Sequence, residues 1–545
     1  MNKILFPFIV LLLTCFFASC GSANNDEKED SGFSVIIGDD GKASNGGVFV
    51  YIDEKNFFLD YIKYSVEEGH LFVSGHDKTG FNGIANIPAR ITCKGNTYEV
   101  LRINAGVFQF CSALKSITLP NGLISIGDGA FAQCSNLTSV IIPNSVKKIG
   151  NAVFTGCENL NSVTLSNSIT EICTELFREC SSLTSVNIPS SVTSIGSSAF
   201  LECRSLSSVT IPNGVISIGR GAFADCSNLL TVTIPSSVTS IDITSFAYCS
   251  GLKSIVVDND NRVFDSRDNC NAIVTKSTNS LFLGCKNTVI PNSVTSIGEH
   301  AFFGCSELTS LTIPSSVTSI GKGAFYQCSS LKNISIPNSV TSIGESAFML
   351  CSSLPSLTIP NSVTSISNNL FWQCSSLASI TIPVSVTSIG DGAFNQCSSL
   401  VSITIPDNVN SIGDSSFGYC ISLSSISIPN NVTFIGERAF EGCSNLTSAT
   451  IGNGVSSISQ YTFSKCSKMT SLTIGNSLNN IGYVAFSNCN SLKDVYCHAE
   501  MVPNVNNYGF SNCPIKKATL YVPASLIESY KNKYPWNGFG TIVEL

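Results

Sequence analysis

Cysteine is the residue whose spacing first invites chemistry. Beyond residue 100, Phe-x-x-Cys occurs eighteen times, with its cysteines at 111, 134, 157, 180, 203, 226 and 249, at 285, at 305, 328, 351, 374, 397, 420, 443, 466 and 489, and at 513. Within the runs 111–249 and 305–489 every interval is 23 residues. The sixteen equivalent thiols of those two runs could ligate metal, form disulfides or pack in a core. Zinc takes four converging ligands, usually offered as Cys-x-x-Cys pairs, and no such pair occurs. On equivalent positions of stacked repeats the Cα–Cβ vectors are parallel, whereas a disulfide needs a twisted geometry with Cβ atoms about 3.8 Å apart. Free cysteine is among the most buried residue types, which favours packing thiols. Cys270 and Cys285 lie outside the regular ladder and are the best candidates for a disulfide.

Other reactive constellations are sparse. Of the four histidines, only His70 and His76 are near each other. Serine is too frequent for any one to signal a nucleophile, and neither a phosphate-cradling glycine loop nor His-Glu-x-x-His occurs. Asp258, Asp260, Asp265 and Asp268 raise calcium as one reading, but they lack the glycine and distal glutamate of an EF-hand loop, so turn formation is the other. No metal or cofactor is expected, and the chain does not read as an enzyme. A hydrolase with its site near His70 and His76 ranks third among function classes. The formal charge is −7, charged residues make up 12%, and Lys and Arg are not clustered, which argues against nucleic acid as a partner.

The elements that carry these residues follow from the period. A fixed repeat of this length marks a solenoid, whose units bury their apolar faces only by stacking. Residues 308–330 represent one coil. Leu311 and Ile313 alternate with Ser310 and Thr312, the pattern of a strand, and Pro314 ends it. Val317 and Ile320 mark a second short extended piece, and Gly321 turns the chain. Ala324, Phe325 and Cys328 have the spacing of a short helix or 3-10 turn. Cys173, Asp242, Ser367 and Ser459 stand at the Gly321 position in other coils, so that glycine favours a turn without being obligatory. Identical strands must pair in parallel and in register, and parallel crossovers are right-handed. The fold class is therefore a right-handed repeat solenoid, about eighteen coils of 23 residues long and capped at both ends, with a parallel sheet and short helical or 3-10 turns.

The division read from the sequence is a signal peptide at 1–19, an acidic tether at 20–32, and an N-terminal β cap with a first coil at 33–102. Repeats follow at 103–257, then an insertion at 258–280, more repeats at 281–495 and a C-terminal cap at 496–545. The insertion has Asp and Asn around two apolar stretches, which predicts a protruding hairpin. Leu520 to Pro523 predicts a final strand, and Ala524 to Tyr534 a closing helix.

Met1-Asn2-Lys3 and the apolar run Ile4 to Phe17 read as an export signal too short to span a bilayer. Phe17-Ala18-Ser19-Cys20 resembles a bacterial lipobox, with Phe17 where leucine is usual, and implies lipidation at Cys20; ordinary secretion is the alternative. The run Asn24 to Asp30 reads either as a solvated tether or as resembling the acidic surface-export signal of Bacteroidota lipoproteins.

The unit Ile-Pro-x-Ser-Val-Thr-Ser-Ile-Gly-x-x-Ala-Phe-x-x-Cys-Ser-Ser-Leu is similar to the BspA-like leucine-rich repeat, also known from Treponema pallidum. That resemblance covers residues from about 85 to 545 and implies a right-handed leucine-rich-repeat coil and a cell-surface protein of a host-associated bacterium; together with the lipobox reading, the expected place is the outer membrane, held by a lipid anchor only. It also implies an adhesin for a host extracellular-matrix protein or glycan; a structural or nutrient-capture lipoprotein is the alternative. Two sets of residues are candidates for contact. Thr312, Ser335, Thr358, Thr381, Thr404, Ser427, Thr450 and Thr473 fall at one strand position in successive coils and predict an outward hydroxyl ladder, which plain solvation of the strand face also explains. Tyr326, Trp372, Tyr419, Tyr461 and Tyr483 lie around the Ala-Phe turns, where aromatics could anchor a partner or pack between coils.

Overall fold

A computed structural model describes residues 34–38, 42–53, 55–506 and 508–545. The expected signal peptide, Cys20 and the whole of the acidic tether lie outside the described residues. The chain divides into two compact units, Met1–Ile169 and Thr170–Leu545.

In the first unit, Phe49–Tyr51, Asn56–Leu59, Ile62–Glu67 and His70–His76 form an antiparallel meander. His70–His76 then pairs in parallel with Asn96–Ile103, which also closes a hairpin with Arg90–Cys93. Lys94 and Gly95 turn that hairpin with φ of 51° and 76°, the conformation a two-residue turn requires. Ser125–Ile126 adds to Asn96–Ile103 in parallel, and Lys148–Ile149 adds to Ser125–Ile126. The aperiodic segment thus supplies the sheet edge on which the first coils are laid, so that edge is covered rather than exposed.

In the second unit the repeat is a parallel β-solenoid. Each coil contributes one short strand to each of two faces, displaced by one period from its neighbour. Ser185–Asn187 pairs with Ser208–Thr210 on one face, and Ser194–Ile195 with Ser217–Ile218 on the other. Inward residues alternate with outward ones: Leu311 and Ile313 are buried, while Ser310 and Thr312 are exposed. Leu308, Val317, Ala324, Phe325, Cys328 and Leu331 complete the core of that coil, all fully buried. The phenylalanine rings stack in a column, with centroids 5.4 Å apart for Phe371 and Phe394 and 5.2 Å for Phe394 and Phe417.

The turn that carries Phe and Cys is not helical, contrary to the sequence reading. Gly323 and Gln327, two residues before and after Phe325, have φ of 57° and 58°, which no helix accommodates. Alternate amides therefore leave the turn: Gly323, Phe325 and Gln327 donate to Glu345, Ala347 and Met349 of the next coil at 2.8–2.9 Å. Tyr326 and Cys328 donate within the turn, to Gly323 and Phe325. The spacing Ala-Phe-x-x-Cys fits a helical turn and this zigzag equally; the zigzag wins because it also satisfies the backbone between coils. Gly321 itself has no positive φ. A Cβ there would stand 2.6 Å from the Glu299 amide, so close approach of coils selects glycine.

The insertion is not a protrusion. Phe264–Asp265, Ile273–Thr275 and Ser280–Leu283 form antiparallel strands, and Cys270, Ala272, Val274 and Leu281 are fully buried in the same core as the coils. Asn261 fixes it: its buried amide donates to the Pro235 and Val238 carbonyls at 2.9 Å and accepts from the Val263 and Phe264 amides at 2.9 and 2.8 Å. At the C-terminus, Thr519–Val522 is followed by a further parallel strand, Thr541–Glu544, so it is not the last. The closing helix begins at Ala524 as expected, as a 3-10 turn over Ala524–Leu526 that runs into an α-helix over Ile527–Lys531, and it stops short of Pro535, which disfavours helix in the residue before it. Tyr530 and Trp536, both fully buried and 5.2 Å apart edge to face, plug the end of the core.

Candidate functional site

The regularly spaced cysteines are buried, Cys305 alone being half-buried, and most share a type of partner. The Cys374 thiol donates to the Phe348 carbonyl at 3.1 Å, and Cys203 and Cys397 do the same to Phe177 and Phe371 at 3.1 and 3.2 Å. Each acceptor belongs to the phenylalanine of the preceding coil. A small apolar side chain with one weak donor is what that site selects. Burial pushes the Cys374 and Cys443 thiols up to about 12, which keeps them protonated and poor as nucleophiles or ligands. Cys270 and Cys285 are free thiols, not a disulfide: they donate to the Ala272 and Asn271 carbonyls at 3.5 and 3.2 Å. Of the insertion's aspartates, Asp265 is engaged by Arg267 at 2.7 Å, and the Asp258 carboxylate accepts the Asp260 amide at 2.9 Å. Among the described residues no cluster of three or more His, Cys, Asp or Glu could hold a metal ion.

His70 and His76 are not brought together. They occupy opposite ends of one strand. The His76 Nδ1 lies 2.7 Å from the Val107 carbonyl, and its ring stacks on Phe108 at 5.1 Å. His70 lines a cleft of about 360 Å³ in the first unit with Glu67, Glu68 and Arg102. Glu67 is ion-paired there with Arg102, which lies over the Phe72 ring at 4.7 Å.

On the strand face, Thr312, Ser335, Thr358, Thr381, Thr404, Ser427 and Thr450 are exposed and Thr473 is half-buried. Thr312 opposes Ser335, Thr358 opposes Thr381, and Ser427, Thr450 and Thr473 run in register. Thr404 lies in a stretch without strand structure. The column continues from Thr473 into Tyr496 and Tyr521, whose rings stack at 4.5 Å. The sequence held the signal for Tyr496, which stands one period after Thr473.

The five turn aromatics do not form one surface, because they occupy different positions relative to the phenylalanine. Tyr326 and Trp372 directly follow Phe325 and Phe371 and are half-buried; Tyr326 packs on Phe303 at 4.9 Å. Tyr461 and Tyr483 meet edge to face at 5.8 Å, and Arg438 lies over the Tyr461 ring at 4.3 Å. Tyr419 is 41% exposed. Its hydroxyl lies 3.4 Å from Glu441, a carboxylate that is only 3% exposed. Glu441 accepts from Lys465 at 2.8 Å and Arg438 at 3.0 Å, so its buried charge is twice paired. The bond to Glu441 raises the Lys465 pKa. Sequence reading missed Glu441, which stands where other coils carry an uncharged residue, Arg178 excepted; its basic neighbours, Arg438 and Lys465, were the available signal.

A family model described as a BspA type leucine rich repeat region matches residues 96–203, 170–276, 275–401 and 387–517. The chain belongs to the BspA-type leucine-rich repeat family. Among solved structures, it is similar to a leucine rich cell surface protein from Faecalibacterium prausnitzii, with 27% identity, a TM-score of 0.44, and coverage of 78% of this chain and 94% of that one. It is also similar to a leucine-rich repeat protein from Bacteroides ovatus, with 26% identity, a TM-score of 0.45, and coverage of 82% and 94%. The leucine rich repeat protein of Treponema pallidum is similar at 19% identity, a TM-score of 0.19, and coverage of 54% and 88%. No curated protein matches the chain. In this BspA-type repeat the apolar motif residues, such as Val317, Ile320, Phe325 and Cys328, are buried, so they report the fold and leave function to the outward positions.

Proposed function

We propose that this BspA-type protein is an exported, lipid-anchored surface protein that binds a host extracellular-matrix protein or glycan and carries out no catalysis. The carrying observation is the set of uncharged hydroxyl columns facing outward in register on the strand face, as in Ser427, Thr450 and Thr473. Weak contacts repeated once per coil along such a column sum to avidity without any single strong site. The thiols support the same reading, since burial holds them protonated. The lipobox-like Phe17-Ala18-Ser19-Cys20 supports anchoring. Binding of the purified protein to an array of matrix proteins and glycans tests the proposal, and binding to none of them contradicts it. Palmitate labelling of cells compared with Cys20→Ala tests the anchor: label is expected only with Cys20 present, and equal label in both refutes it.

A further inference from the structure

Four successive coils carry Leu350, Gln373, Gln396 and Tyr419 at one position, two residues after the phenylalanine, with φ of 63°, 57°, 61° and 56°. Together with Ser352, Ser375 and Ser398 they line a groove of about 530 Å³. None of these seven lining residues is charged. The position tolerates charge elsewhere, since Glu179, Glu202 and Asp225 occupy it in earlier coils. We propose that this groove binds a linear, uncharged polysaccharide running along the stacked coils; this deepens the binding role proposed above and rests on it.

Three features select that occupant. First, the groove offers hydrogen bonds without charge. The Gln373 amide donates to Gln396 Oε1 at 2.8 Å, which leaves the Gln373 carbonyl oxygen as an acceptor and the Gln396 amide as a donor. The Ser352, Ser375 and Ser398 hydroxyls donate to the serine carbonyl of the preceding coil at 3.2–3.5 Å, so their oxygens are left to accept. Such a mixture of amides and hydroxyls matches sugar hydroxyls, which both donate and accept. Second, Tyr419 closes one end with an exposed ring already held by Glu441, itself fixed by Lys465 and Arg438. A ring oriented before the ligand arrives loses little entropy on stacking against the apolar face of a pyranose. Third, the groove presents one set of groups per coil, and the coils are spaced 5.4 Å apart between Phe371 and Phe394, about the length of one hexose in an extended chain. A peptide fits less well. The Leu350, Gln373 and Gln396 amides are already bonded to the Trp372, Asn395 and Gly418 carbonyls, so no free strand edge is left for main-chain pairing.

The test titrates the full chain with neutral linear oligosaccharides of increasing length, with charged glycosaminoglycans and matrix proteins run beside them. Affinity is expected to rise with oligosaccharide length until the groove is filled. Tyr419→Ala and Gln396→Glu are each expected to weaken binding about tenfold, Tyr419→Phe, which keeps the ring but loses its bond to Glu441, to weaken it less than Tyr419→Ala, and Glu202→Gln to leave it unchanged. Binding of no neutral oligosaccharide overturns the proposal, as does neutral binding that survives both Tyr419→Ala and Gln396→Glu. If matrix proteins or charged glycans bind while neutral oligosaccharides do not, the groove assignment falls and the wider binding role stands.

Discussion

The coils around 175–226 and those around 348–419 have the same interior and opposite exteriors. Phe200 stacks on Phe223 at 5.1 Å as Phe394 stacks on Phe417 at 5.2 Å, and Cys203 and Cys374 each reach the preceding phenylalanine carbonyl at 3.1 Å. Two residues after the phenylalanine, the first stretch carries Glu179, Glu202 and Asp225, with Arg204 bridging Glu202 and Asp225 at 2.7 and 3.1 Å. The second carries Leu350, Gln373, Gln396 and Tyr419 along a neutral groove. One buried column therefore fixes the coil while an adjacent exposed column varies without disturbing it, which is how a repeat fold acquires different surfaces along its length.

The comparison breaks most visibly in alkali. In both stretches the buried thiols hold their protons more tightly than unfolded ones. Below the ordinary thiol value of 9.0 both states are protonated and stability is complete. Above it the unfolded thiols ionise first, and stability falls by about 1.4 kcal/mol per pH unit for each buried thiol. The decline continues until the folded thiols titrate, near 12 for Cys374 and Cys443. Circular dichroism against pH should show cooperative loss of β structure above pH 9.0; a signal unchanged to pH 12 would remove the thiols from the account of stability. Next in size, Phe200→Ala and Phe394→Ala should each cost about 3–5 kcal/mol in urea denaturation. A large cost at one site and a small one at the other would mean that the interiors are not equivalent.

Exchanging the exteriors sharpens the contrast. Glu202→Gln and Gln373→Glu should each change stability by less than about 0.5 kcal/mol, because both side chains reach solvent. The smallest effect is Arg204→Ala. Its two ion pairs are largely exposed, so the loss should stay below about 1 kcal/mol and shrink with added salt. A loss as large as that of a phenylalanine would make the acidic stretch a structural element.

Much of this was legible in residue spacing. The period placed Leu311, Ile313, Phe325 and Cys328 inside and Ser310 and Thr312 outside, where the structure has them. The turn was misread because apolar spacing cannot distinguish a helical turn from a zigzag with left-handed residues at Gly323 and Gln327. The insertion was misread because its short apolar stretches look the same whether they protrude or complete a core, and Asn261 reveals its role only through contacts with the preceding coil. Residue type alone groups the turn aromatics, whereas position along the stack decides which side chains meet. Read by column, Gln373, Gln396 and Tyr419 recur at intervals of 23, and the neutral lining was already written in the chain.

The central claim is that surface chemistry at one column, carried on an invariant interior, makes a binding site. Calorimetric titration of a neutral linear oligosaccharide into the full chain and into the double variant Gln373→Glu, Gln396→Glu tests it most directly. The account predicts binding by the native chain, loss of at least about tenfold in the variant, and equal unfolding midpoints for the two proteins. Equal binding by both, or none by the native chain, would contradict it.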